Sequence, residues 1–164
     1  MKIGFRSVAF LAAVAVLGQN AATTKIRTIT AKESRELVLT MLKADEWTSL
    51  PGFNIEEPQL FQAHPEFFEV DAEYENPQGG STVGSYAVER TTGDVWSLPI
   101  CGRYESPALL VVQRALRKRI GLTDATYQSL RKPEPFCGPR QVPLVLKMGR
   151  PNLDNVPLKV DKTK

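Results

Sequence analysis

The chain has 164 residues, of which 42% are hydrophobic, and it carries 21 basic and 18 acidic residues with one histidine. This length supports one hydrophobic core and is short for two. A single histidine, with no Cys-x-x-Cys or His-x-x-x-His spacing, excludes a multi-histidine metal centre, so we predict neither a metal site nor a cofactor.

The N-terminus has the layout of a secretory signal peptide. Lys2 and Arg6 precede the apolar run Val8–Leu17, and a small, polar stretch follows it. A membrane-spanning helix needs about 20 apolar residues, roughly twice this run. We therefore predict that residues 1–22 are removed on export, that the mature chain has no stable membrane insertion, and that it is periplasmic or secreted.

Charge is divided unevenly along the chain. Residues 22–100 carry 13 acidic against 6 basic residues, whereas residues 101–164 carry 13 basic against 5 acidic residues. Such asymmetry indicates either a charged partner or one domain in which the two halves meet. The export signal and the absence of a basic–aromatic binding motif argue against nucleic acid as the partner.

The first predicted element is a helix over residues 31–44. Thr30 and Glu33 have the spacing of a capping box, and an apolar stripe at helical spacing begins at Leu37. Prolines then interrupt Pro51–Pro65, which allows at most a brief strand near Leu60.

The next element is a half-buried strand over residues 67–75, because apolar and acidic residues alternate there. Its acidic face holds Glu69, Asp71 and Glu73. We interpret that face mainly as a solvated one, and the alternatives are a surface for a cation or a basic partner, or the carboxylates of a small hydrolase.

Two further strands, over residues 82–89 and 95–98, flank a turn in which Gly93 supplies a positive φ. The side chains at this tip are expected to be exposed and to insert into the cleft of a partner protein: Arg90, Thr91, Thr92 and Asp94.

A second helix is predicted from Ser106 at its cap and Pro107 at its first position to Gly121 at its end. Three of its basic residues are expected to point away from the core and to bind acidic groups: Arg114, Arg117 and Lys118. The alternative for this basic face is simple solvation. A short third helix should follow over residues 124–132.

Cys101 and Cys137 are predicted to form a disulfide, because an exported chain meets an oxidising compartment. The predicted fold is α+β, with the N-terminal helix on a three-to-four-stranded antiparallel sheet and a disulfide-stapled helix pair after it. One domain is expected over residues 23–138, and a loose, Pro-rich tail over residues 139–164.

The hairpin "YAVERTTGDVW", Tyr86–Trp96, resembles the Thr-Gly hairpin of small exported bacterial domains of the PepSY-like kind and of some interbacterial immunity proteins. The resemblance implies a non-catalytic protein that binds or inhibits an enzyme of the cell envelope.

We predict an exported periplasmic binding or inhibitory module, because the sequence offers a scaffold and an asymmetric charge distribution but no assembled catalytic set. Its partner would be an envelope protein or an anionic envelope polymer. The alternatives are a small envelope hydrolase that uses the acidic face of residues 67–75, and a structural envelope component.

Overall fold

The computed structural model describes residues 27–76, 79–131, 145–147 and 149–151 of the chain. The described residues form an α+β fold, as predicted. The helices are α1 (Ala31–Ala44), α2 (Pro107–Arg119) and α3 (Asp124–Leu130). The strands are β1 (Asn54–Ile55), β2 (Gln59–Leu60), β3 (Phe67–Asn76), β4 (Gly79–Glu89), β5 (Val95–Ser97), β6 (Arg103–Tyr104) and β7 (Val145–Leu146).

Helix α1 has the predicted bounds and the predicted capping box. The Glu33 amide donates to the Thr30 hydroxyl at 3.2 Å, and the Thr30 amide donates to the Glu33 carboxylate at 2.6 Å. Two amides of the first turn, which lack partners inside the helix, are thereby satisfied. The apolar stripe that begins at Leu37 is buried against the sheet.

The sheet is larger than predicted. Its order is β1-β3-β4-β5-β6-β7, and β2 also pairs with β3, so the expectation of three to four strands is wrong. Four of the seven strands contain only two residues each, which is too short to produce a period in the sequence. All neighbours are antiparallel except β6 and β7, which are parallel, so the sheet is mixed.

Both faces of the sheet bury apolar side chains. On the helix-covered face, Phe68, Val70 and Tyr86 pack with α1 and α2 in the main core. On the opposite face, Phe67, Ala87 and Trp96 form a smaller cluster, with partly buried apolar neighbours. The predicted alternation along β3 is confirmed, but its second face is apolar at one end rather than solvated throughout.

Helices α2 and α3 start at their predicted caps, whereas α3 ends at Leu130, before the predicted bound at residue 132. The Ser106 hydroxyl accepts the Leu109 amide, Pro107 opens α2, and Gly121 follows the helix with φ of +80°. Thr123 caps α3 in the same way, accepting a hydrogen bond from the Thr126 amide.

Among the described residues, no helix is long and apolar enough to cross a membrane.

Several predictions fall on residues outside the described ones. They include the signal peptide over residues 1–22 and Cys137, the predicted partner of Cys101. The described residues contain no free cysteine, and the Cys101–Cys137 pairing stays a prediction. The domain bounds also stay predictions, although β7 joins the sheet beyond the predicted boundary at residue 138.

Candidate protein-binding site

The turn between β4 and β5 is buried rather than exposed. Thr92 and Asp94 are 0% and 1% exposed, and Thr91 is half-buried. The expectation that Thr92 and Asp94 form an accessible tip is therefore wrong. The turn points into the protein, where α2 covers it.

Gly93 lets this turn approach the helices closely. Its φ is +71°, and a Cβ added there would lie 3.2 Å from Leu116 and 3.4 Å from Leu37. The Gln113 side-chain amide donates to the Gly93 carbonyl at 2.8 Å. A buried glutamine of α2 thus satisfies a carbonyl that the turn itself leaves open.

A buried carboxylate organises the start of the turn. Glu89 is almost fully buried, and it accepts the Thr92 hydroxyl at 2.8 Å and the Thr91 hydroxyl at 3.2 Å. These hydrogen bonds lie in the interior, where they are stronger than in water. The polar side chains of the turn, which suggested an exposed tip, instead form hydrogen bonds within the protein.

Arg117 is the main link between the turn and α2. Its side chain is 8% exposed, its Nη2 lies 2.7 Å from Asp94 Oδ1, and its Nε donates to the Thr92 carbonyl at 2.7 Å. The prediction that Arg117 points away from the core is therefore wrong. At about 100° per residue it falls only about 80° from Leu109, at the edge of the buried stripe, where a long side chain reaches inward.

Asp94 is the centre of the buried polar network. Tyr127 donates to its carboxylate at 3.1 Å, and Arg103 Nη1 lies 3.9 Å away. Burial raises the pKa of Asp94, while the guanidinium groups of Arg117 and Arg103 oppose that rise. Burial, together with the Asp94 charge, raises the pKa of Tyr127 to about 12. These contacts join the turn, α2, β6 and α3.

Arg90 is also tied to the protein. Its Nη1 donates to the Pro65 carbonyl at 3.0 Å, and its guanidinium lies 5.4 Å from the centre of the Phe68 ring. Like Thr91, it keeps partial exposure.

A groove of about 530 Å³ lies between α2 and α3. Arg114, Arg131 and Tyr127 line it together with Arg117, whose guanidinium lies 3.6 Å from the Tyr127 ring centre. Arg131 Nη2 lies 3.2 Å from Glu105 Oε1. The groove thus holds three guanidinium groups, of Arg114, Arg117 and Arg131, and the two carboxylates of Glu105 and Asp124.

Arg114 and Lys118 are exposed, as predicted. Neither forms an ion pair or a side-chain hydrogen bond with any residue in the described ranges. They lie at about 140° and 180° from Leu109 on the helical wheel, clear of the buried face. Of the seven predicted contact residues, these two are exposed, and Arg90 and Thr91 are partly exposed.

The acidic face of β3 forms a second feature. Glu69 and Asp71 line a cleft of about 150 Å³ with Glu56, Glu57 and Gln59. The glutamates at 56 and 57 were not predicted, because they lie between β1 and β2, where the sequence has no periodic signal. The lining is entirely polar and lacks the apolar surroundings that typically activate a general acid. In the described ranges, no three His, Cys, Asp or Glu side chains form a group that could hold a metal ion.

A third feature is a cleft of about 510 Å³ between α1 and α2, with an apolar floor at Leu37 and Val112. Glu33 also lines the cleft, and its carboxylate forms ion pairs with Arg119 at 2.7 Å and with Arg27 at 3.8 Å. Sequence patterns did not reveal it, because it is lined by residues of two helices that lie far apart in the sequence.

Comparison with known proteins identifies the fold but no family. No protein-family model and no curated protein matches the chain. A chain in the structure of a type VI secretion system effector–immunity complex from Pseudomonas protegens is similar, with 23% identity and a TM-score of 0.52. The match covers 64% of this chain and 89% of that chain. At this identity the likeness shows a shared fold, and it gives no sign of a PepSY-like domain.

Proposed function

We propose that this protein is an exported binding module that inhibits a protein partner, in the manner of an immunity protein. The observation that carries the proposal is the fold shared with a chain of an effector–immunity complex. The charge asymmetry and the exposed basic side chains on α2 support a role in binding.

The proposed contact surface centres on Arg114 and Lys118, with Arg90 and Thr91 at the partly exposed side of the turn. Exposed, unpaired guanidinium and ammonium groups steer an acidic partner and fix its orientation. Thr92, Asp94 and Arg117 are buried and contribute to binding indirectly, because their contacts hold α2 in place. The proposed partner is an enzyme of the cell envelope, met in the periplasm after export.

The test is capture of a partner from periplasmic and secreted fractions by the purified protein, followed by an assay of the captured enzyme. We expect one enzyme to be recovered in stoichiometric amount and to lose activity when bound. Arg114→Glu should abolish capture, whereas Lys32→Glu, the same charge reversal on α1, should leave it intact. Circular dichroism checks that both variants fold.

Recovery of no single partner, or of a partner whose activity is unaffected, would contradict the inhibitory function. A captured anionic envelope polymer would instead indicate a structural component of the envelope.

A second candidate is a small envelope hydrolase, for which the acidic cleft at Glu69 and Asp71 is the favouring observation. Hydrolysis of peptidoglycan by the purified protein, lost in Asp71→Asn and retained in Arg114→Glu, would establish it in place of the binding module.

A further inference from the structure

We infer that the groove between α2 and α3 binds a carboxylate side chain from an acidic segment of a protein partner, with Arg114 as the contacting group and the Arg131–Glu105 pair beside it. This inference rests on the proposed binding function and names the chemistry that the surface recognises.

The first argument is the state of the two arginines. Arg114 lines the groove and has no ion pair or hydrogen-bonding partner for its side chain in the described part of the chain. Arg131 is 36% exposed in its side chain and is already paired with Glu105 at 3.2 Å. Guanidinium groups bind carboxylates through paired N–H donors. Glu105 shows that a carboxylate fits this wall of the groove, and Arg114 offers a second position.

The second argument is that the groove wall at Arg117 and Tyr127 is anchored to the rest of the protein. Arg117 is fixed by Asp94 and the Thr92 carbonyl, and it stacks on Tyr127 at 3.6 Å. Arg114 extends from the same helix three residues earlier. A side chain on a well-anchored helix loses little conformational freedom beyond its own rotamers on binding, which favours specific contact.

The charge balance of the groove selects the kind of anion. Besides its arginines the groove contains Glu105 and Asp124, and Asp124 has no ion-pair partner in the described ranges. These carboxylates would repel a densely charged phosphate or polymer, whereas a single incoming carboxylate can bind Arg114 away from them. Protein carboxylates therefore fit the groove better than phosphates do.

The test uses two blocked decapeptides and NMR of the isotope-labelled protein. One peptide alternates Glu and Ser, and the other has Gln in place of every Glu. We expect saturable shifts of the Arg114 and Arg131 side-chain N–H signals with the Glu peptide and none with the Gln peptide. Arg114→Gln should weaken binding about tenfold, and Lys32→Gln, which removes the same charge from α1, should leave it unchanged.

Three results would overturn the inference: no saturable shift, equal weakening by the two substitutions, or tighter binding of inorganic phosphate than of the Glu peptide. The last result would assign the groove to a phosphate-bearing polymer. Because the peptide needs no natural partner, these outcomes are separate from the capture experiment. Failure to capture an enzyme with intact peptide binding would overturn only the proposed function.

Discussion

The turn between β4 and β5 and the groove between α2 and α3 are both rich in polar and charged residues, yet they differ in accessibility. In the turn, Thr92 and Asp94 are buried and each has partners on the protein. In the groove, Arg114 faces solvent. The two regions meet at Arg117. Its guanidinium pairs with Asp94 in the turn and lies against the Tyr127 ring in the groove.

The difference teaches that polar composition does not decide exposure. A polar turn is buried when another element supplies donors and acceptors of matching geometry, as Gln113 and Arg117 do here. The same residue types remain available to a partner where no such element covers them.

The largest expected effect comes from breaking the ion pair that holds the turn. Arg117→Ala leaves the buried Asp94 carboxylate without its closest cation, and removal of one member of a buried pair costs about 3–5 kcal/mol. Urea unfolding followed by circular dichroism measures the loss. Arg114→Ala, three residues earlier on the same helix, should leave the unfolding midpoint unchanged.

Equal effects of Arg117→Ala and Arg114→Ala would break the comparison between a buried turn and an open groove. The double variant Asp94→Asn with Arg117→Met removes both charges, and it should be more stable than Arg117→Ala because the buried carboxylate is removed together with its closest cation, while Arg103 keeps Glu105 as a partner.

A smaller effect is expected from Gly93, inside the turn, and Gly121, just after α2. Gly93→Ala should cost more than Gly121→Ala, although both positions have a positive φ. An added Cβ at Gly93 meets Leu116 at 3.2 Å, whereas the one at Gly121 meets nothing within 4 Å. The left-handed conformation alone costs about 1–2 kcal/mol, so unfolding midpoints should rank wild type, Gly121→Ala and Gly93→Ala in falling order. Equal midpoints for Gly93→Ala and Gly121→Ala would mean that the turn accommodates the added methyl group next to Leu116 at no measurable cost in stability.

A control outside both regions is the cap of α1. Thr30→Ala removes the acceptor of the Glu33 amide and should cost about 1 kcal/mol. Thr30→Ser keeps the hydroxyl and should retain most of the stability in the same unfolding assay. A loss as large as that of Arg117→Ala would indicate that the cap, rather than the buried network, dominates stability.

The smallest effect is confined to alkaline pH. Burial, with the Asp94 charge, raises the pKa of Tyr127 from its ordinary value near 10 to about 12. Between these values the unfolded chain has released the proton and the folded protein has kept it, so stability should fall as pH rises from about 10 to 12. Tyr127→Phe should show a shallower fall when unfolding free energies are compared across this range. An unchanged slope would place Tyr127 outside the network.

The long elements were predictable from sequence because their signals are local. The Thr30–Glu33 box, the Ser106-Pro107 start and the alternation along β3 are each set by neighbours within a few residues. Of the two-residue strands, only the brief strand near Leu60 was predicted, because strands this short form where β3, β5 and β6 offer edges to pair with.

The candidate site was only partly predictable for a related reason. Helical periodicity places Arg114 and Lys118 on the exposed face, which is correct. The burial of Arg117 depends on Asp94, 23 residues earlier, and no pattern in a single sequence reports that contact. Arg131 and Glu105, 26 residues apart, were missed for the same reason.

The parallel pairing of β6 with β7 has a consequence for the order of folding. The pairing of β3, β4 and β5 closes short loops, whereas β7 pairs with a strand about 40 residues earlier in the sequence. Close to β7 in the sequence, the Gly149 carbonyl accepts a hydrogen bond from Trp47 Nε1, a residue 102 positions away. Closing a long loop costs more chain entropy than closing a short one, and the two-residue pairing of β7 with β6 returns few hydrogen bonds. We therefore expect β7 to join the sheet last during folding and to exchange its amide hydrogens first, as the least protected strand of the native protein.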